Sequence, residues 1–351
     1  MRKKSSIFTL LLTLVVILCS GLPARGIDYA ITKVVEIGPA DEGFMSWPLR
    51  WSPDGKWLAY FHNGYLTLSD TLGNSHQAKK IDFFPRRYEW ISTEEIVGYF
   101  DEGYNIDSSR QLLMQIDVTT GADTIIEKYV RYDRRGNAQW FQGPWRTVKG
   151  NVYYDYGERS GPLKSDKWEE RRWVNSRKGK KLTETDKKTD YILHWGKDGI
   201  YRVLFSGDDS IRIAPHPASE GPGGITMSPD SSYLNIWGTL LRLDDSATIN
   251  LDKVVDDKPS GTKFCGCLSV SFNPFFAEVL FRQSCDSDGH EILVDRIGVF
   301  DLQELTYNFL QPSPQSRNCV SPIYSPDGLK IAVLCDSKCY IIFREIDGRL
   351  K

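Results

Sequence analysis

Beyond its first twenty residues the 351-residue chain has no apolar stretch long enough to cross a bilayer, so the body of the protein is expected to be soluble. It also lacks an excess of basic residues. The 44 Lys and Arg stand against 46 Asp and Glu, a net charge of -2, and nucleic acid is therefore not an expected partner. Long runs of 3.6-residue periodicity are missing, which removes helix as the main element. Two catalytic signatures are missing as well. The nearest approach to a Gly-x-Ser-x-Gly elbow is Gly157 to Gly161, where Ser160 comes one place late. His290-Glu291 is followed by Ile292, Leu293 and Val294 rather than by a second histidine, so there is no zinc-protease motif. The five histidines, His62, His76, His194, His216 and His290, are scattered. The acidic group Asp286, Asp288 and Glu291 does not follow the twelve-residue calcium-loop pattern and reads as a solvated turn. No cofactor and no metal site are expected.

What is present begins with an export signal. Arg2, Lys3 and Lys4 precede an apolar run from Ile7 to Leu18, and Ala24 and Gly26 have the small-x-small spacing that signal peptidase accepts. Residues 1–26 are read as the signal and Ile27 as the first mature residue, with a periplasmic or secreted destination. Cys19 offers lipid anchoring as the alternative, although Ile17 and Leu18 before it are bulkier than that processing prefers. Loss of residues 1–26 removes four basic residues and no acid, so the mature chain carries about -6. Of seven cysteines, six then remain: Cys265, Cys267, Cys285, Cys319, Cys335 and Cys339. An even number in an exported chain reads as disulfides.

The body of the chain is organised by a repeated corner. In Ser52-Pro53-Asp54-Gly55 proline presets φ for a turn, aspartate can bond its own backbone two residues on, and glycine accepts the left-handed position that closes it. Trp57, Ala59 and Phe61 then alternate with Leu58 and Tyr60, and both faces are apolar, as in a strand packed between two sheets. Ser228-Pro229-Asp230 and Ser325-Pro326-Asp327-Gly328 repeat the corner. Weaker variants near residues 94, 150, 198 and 274 bring the corners to seven. About 325 residues divided by seven give about 46 per unit, the size of a four-stranded propeller blade. Six blades of about 54 also fit if the charged stretch 158–188 is a surface excursion. The expected fold is an all-β propeller of four-stranded antiparallel blades over residues 27–351. Ala30 to Ile37, a strand with no nearby partner, is expected to supply the outer strand of the last blade, because a closed ring must hide its edges.

These Pro-Asp corners resemble those of TolB-type β-propellers and of the propeller domain in dipeptidyl-peptidase-IV-like enzymes. The resemblance covers nearly all of the mature chain and implies the fold; propellers of this kind serve many functions. The peptidases carry their nucleophile on a hydrolase domain for which the region after the last repeat has no room. The expectation is an exported, monomeric, non-catalytic binding or scaffolding propeller with a protein or glycan partner. The alternative is an enzyme with an axial active site, similar to oligogalacturonate lyases.

The cysteines permit a sharper expectation. If Val270 to Phe272 and Val279 to Phe281 pair antiparallel around Asn273 to Phe276, facing residue numbers sum to about 550, which sets Cys265 opposite Cys285. Aligning Asn273-Pro274 with Ser325-Pro326 shifts the sum to 654 and sets Cys319 opposite Cys335. A bulge would instead bring Cys267 to Cys285. Cys267 and Cys339 are left over, and a bridge between blades is open to them.

Overall fold

In a computed structural model of the chain the described residues are 30–40, 49–82, 84–102, 110–130, 138–147, 149–159, 167–174, 189–196, 198–205, 210–215, 225–236, 238–262, 264–286 and 292–345. The proposed signal with Cys19, together with His216, Asp288, His290 and Glu291, lies outside them. No helix among the described residues is long and apolar enough to cross a membrane.

The strands form seven antiparallel sheets, one for each expected corner, and the chain is a seven-bladed propeller. Blade 1 runs from Arg50 to Lys80, blade 2 from Phe84 to Val130, blade 5 from Ile225 to Asn250 and blade 6 from Phe264 to Leu310, each with four strands in sequence order. Blades 3 (Ala138–Trp173) and 4 (Tyr191–Pro215) show three strands each among the described residues. One helical turn, Leu251–Val254, links blades 5 and 6. Blade 7 is made of Cys319–Tyr324, Lys330–Cys335 and Lys338–Glu345, and its fourth, outer strand is Ala30–Pro39 from the other end of the chain. In blades 1, 2, 3, 6 and 7 the first strand lies innermost: Arg50–Trp51 touches Phe84–Trp90, which touches Ala138–Arg146, and Phe264–Phe272 touches Cys319–Tyr324.

Each apolar face has its own neighbour. Ala59 and Phe61 pack with Tyr88, Trp90, Ile96 and Phe100 of blade 2, whereas Leu58 and Tyr60 pack with Ala332, Leu334 and Ile341 of blade 7. A strand apolar on both sides is therefore what a blade between two blades requires.

The three full corners share one hydrogen-bond set. The serine hydroxyl donates to the aspartate two residues on (2.6, 2.6 and 2.5 Å) and accepts the N–H five residues on, from Trp57, Tyr233 or Lys330, at 2.9–3.0 Å. The aspartate in turn accepts the N–H of Lys56, Ser232 or Leu329. Ser52, Ser228 and Ser325 are buried. Burial alone would raise the three carboxyls, but these bonds, led at Asp327 by a further one from the Lys330 ammonium, outweigh it and hold Asp54, Asp230 and Asp327 below the usual range. Gly328 closes its corner at φ +70°, and a Cβ there would lie 2.5 Å from Asn273 Oδ1 in the neighbouring corner. Ser231 takes the corresponding place in blade 5 at φ 60°.

Two disulfides, Cys265–Cys285 and Cys319–Cys335, join inner to second strands in blades 6 and 7. Next to each corner the paired numbers are one higher, as in Phe272 with Val279 and Tyr324 with Ile331, and a bulge at Ser269/Ser271 and at Val320/Ile323 restores the register that brings the cysteines together. The two bulges occupy matching places in the two repeats. Cys267 and Cys339 are not bridged. Cys267 faces Gln283 and packs with Leu240, Leu251 and Phe281, whereas Cys339 faces Leu334 in the core between blades 7 and 1, so each thiol belongs to a different interface.

The charged stretch 158–188 is not wholly an excursion. Lys167–Trp173 within it pairs with Val152–Arg159 as the third strand of blade 3, and the Trp173 ring stacks on Phe205 of blade 4 at 3.5 Å. Its charged residues conceal the strand from a reading based on hydrophobic pattern. Residues 160–166 and 175–188 lie outside the described residues.

Candidate functional site

In blades 1, 2 and 3 the residue just before the corner staples its inner strand to the preceding blade. Trp51 Nε1 donates to Ile323 O of blade 7 at 3.4 Å, Trp90 Nε1 to Arg50 O of blade 1 at 3.0 Å, and Arg146 Nη2 to Trp90 O of blade 2 at 2.8 Å. With those side chains turned back, the alternate residues of the same strands turn the other way. Glu89 and Arg87 of blade 2 do so, and they meet Arg50 from blade 1 and Trp145 and Arg146 from blade 3.

The result is a group of three guanidiniums and one carboxylate drawn from three blades. Glu89, with 7% of its side chain exposed, accepts Arg50 Nε at 2.9 Å on one oxygen and Arg146 Nη2 at 3.3 Å on the other. Burial would raise its carboxyl, but the charges of Arg50, Arg146 and Arg87 outweigh burial and hold it below the usual range. Arg146 also donates from Nη1 to Gly150 O at 2.7 Å. Arg87 lies over the Trp145 ring, 3.9 Å from its centroid, and its Nε has no hydrogen-bond partner. Burial, and then the neighbouring charge of Arg50, bring the Arg87 guanidinium down to about 10. The group opens to solvent through Arg146, whose side chain is 38% exposed. Arg50, Glu89 and Arg146 sit one or two residues before the corners of blades 1–3 and Arg87 four residues before that of blade 2, on the face of the ring where the corners lie.

Such a group can hold an anion and can do little acid–base work. A guanidinium has donors and no acceptor, and the charges around Glu89 favour its ionised form.

The sequence-predicted residues are placed differently. The corner serines, prolines, aspartates and glycines fold turns, and the four paired cysteines clamp hairpins. His62 ends the second strand of blade 1 and meets Asn63 Nδ2 at 2.8 Å; His76 lies on the outer strand of the same blade, its ring edge-on to Trp57; His194 lies on the first strand of blade 4. The described histidines are thus not gathered. Among the described residues no group of three or more His, Cys, Asp or Glu has metal-binding geometry.

The arginine group was missed because it has no local signature. Arg50 and Arg146 are far apart in sequence, and Glu89 stands between them. The usable signal is the tryptophan or arginine immediately before a corner, at Trp51, Trp90 and Arg146.

No protein-family model matches the chain, and no characterised protein matches its sequence. Solved structures with a similar course include a chain of the mitotic checkpoint complex, at 11% identity over 93% of this chain and 98% of that one, with a TM-score of 0.49. A putative TolB from Agrobacterium tumefaciens is 15% identical over 89% of this chain and 91% of that one, with a TM-score of 0.36. An oligogalacturonate lyase in complex with manganese is 13% identical over 85% and 76%, with a TM-score of 0.34. Likeness at this level says nothing of what the chain binds or does.

Proposed function

We propose that the chain is an exported, non-catalytic, TolB-like propeller that binds a protein partner on the face carrying the corners, with the axial arginine group at its centre. The observation that carries this reading is the composition of that group: it offers charge without a group that exchanges a proton near neutral pH. Two disulfides accord with an oxidising compartment. A protein is favoured over a glycan by the apolar residues on the same face. The turns joining third to fourth strands share it with the corners, and exposed Leu72, Phe275 and Leu305 all lie in these two sets of turns. A cleft of about 250 Å³ between the corners of blades 5 and 6 is lined by Pro229, Tyr233, Phe272, Pro274, Phe276 and Leu302. Charge at the centre with exposed aromatic and apolar side chains around it is the make-up of a recognition surface.

The test is affinity capture from envelope extract with residues 27–351 as bait. Leu72→Asp and Phe275→Asp change the corner face, and Asn63→Asp changes the opposite face. A partner kept by the wild type and by Asn63→Asp but lost with the other two supports the reading. Equal capture by all three variants, or loss with Asn63→Asp alone, overturns it.

A further inference from the structure

Arg87 is the unusual member of the axial group. Arg146 spends its donors on Glu89, Gly150 O and Trp90 O. Arg50 gives Nε to Glu89 and Nη1 to Leu49 O, and its Nη2 bonds to none of the described residues. Arg87 has the five N–H donors of any guanidinium, and its Nε is buried without a hydrogen-bond partner. Its flat face is covered by Trp145, which leaves the edge with its N–H groups to be satisfied. Leaving a buried guanidinium N–H unpaired is costly unless an acceptor comes from elsewhere.

The one carboxylate already present shows which acceptor fits. Glu89 bridges Arg50 and Arg146 with one oxygen to each, so among the described residues of the group three positive charges meet one negative charge, which leaves positive charge beside Arg87 and Arg50. Guanidinium edges match the planar fork of a carboxylate. Building on the binding function proposed above, we infer that Arg87, together with Nη2 of Arg50, receives a carboxylate from an acidic segment of the partner protein. Glu89 and Arg146 are positioning residues: Glu89 fixes Arg50, and Arg146 in turn holds Glu89.

The experiment is calorimetric titration of residues 27–351 with N-acetyl-hexaglutamate amide, with N-acetyl-hexaglutamine amide as control and trigalacturonate as a third arm. Hexaglutamate should bind and hexaglutamine should not. Arg87→Gln should weaken hexaglutamate about tenfold or more, as expected when a hydrogen bond to a charged group is lost. Arg50→Lys, which keeps the charge but loses the fork and holds the fold if Arg87→Gln does not, should weaken it several-fold. Unchanged affinity in both variants, or binding of trigalacturonate in place of hexaglutamate, overturns the inference. If neither variant alters hexaglutamate while capture of the partner still depends on Leu72 and Phe275, the binding face stands and only the carboxylate site falls.

Discussion

Replacing Arg344 by methionine should cost about 3–5 kcal/mol, a large share of the roughly 5–15 kcal/mol that holds a typical domain folded. Arg344 has 1% of its side chain exposed and gives Nη2 to both oxygens of Glu278, at 3.0 and 2.9 Å. Without it Glu278 stays buried between blades 6 and 7, with the Tyr324 hydroxyl at 3.4 Å and Asn273 Nδ2 at 3.3 Å as its neutral donors. Those donors soften the loss without supplying charge. Glu278→Leu alone should cost a similar amount by stranding the guanidinium. The double variant removes both buried charges and should return to within about 1.5 kcal/mol of the wild type. Urea unfolding of the four proteins measures the coupling, which should exceed about 2 kcal/mol. Because Arg344 faces Ile31 across the closing strand pair, amide exchange over residues 30–39 should quicken in the single variants. A cost below about 1 kcal/mol for Arg344→Met, or a double variant as unstable as the two losses added together, would refute the reasoning.

Other perturbations test separate parts of the structure. Ser231→Gly should stabilise the protein by about 0.5 kcal/mol by relieving a left-handed non-glycine residue, whereas Gly328→Ala should cost about 1–2 kcal/mol from backbone alone and more from contact with Asn273; thermal unfolding reads both. Cys319→Ser with Cys335→Ser should cost about 3 kcal/mol in urea unfolding for a sequence separation of 16 residues, and mass mapping without reduction should recover Cys265–Cys285 and Cys319–Cys335 intact. Cys267, buried and with its thiol pushed up to about 12 chiefly by burial, should resist alkylation until the protein unfolds. Glu89 is depressed below its ordinary 4.5, so its contribution to stability is present above that pH and is lost as pH falls through the lower folded value; Glu89→Gln should flatten the stability profile in that acid range. Exchanging Leu11, Leu12 and Leu14 for aspartate should leave an uncleaved precursor in the cytoplasm, visible on fractionation.

The fold was legible wherever chemistry is local. A serine, an aspartate and a glycine within four residues specify a corner, and antiparallel pairing around it specifies register far enough along the strands to place Cys265 against Cys285 and Cys319 against Cys335. The bulges at Ser269/Ser271 and Val320/Ile323 were not legible, yet they fall alike in the two repeats, and the pairing tolerates them. Lys167–Trp173 escaped because its charged residues give no period. The axial group escaped for a different reason. Arg50, Arg87, Glu89 and Arg146 belong to three blades, and only the stacking of successive blades brings them together. Each alone looks like a charged residue near a turn, and their meeting depends on Trp51, Trp90 and Arg146 turning back to the preceding blade.

The most direct measurement is amide exchange on the propeller with and without its captured partner. Protection of residues 49–51, 87–90 and 145–150 on binding, together with the corner around Phe275, is the predicted result. Protection confined to the hairpin tips of the opposite face, around residues 62–65 and 335–338, would contradict the assignment of the corner face and its arginines as the binding site.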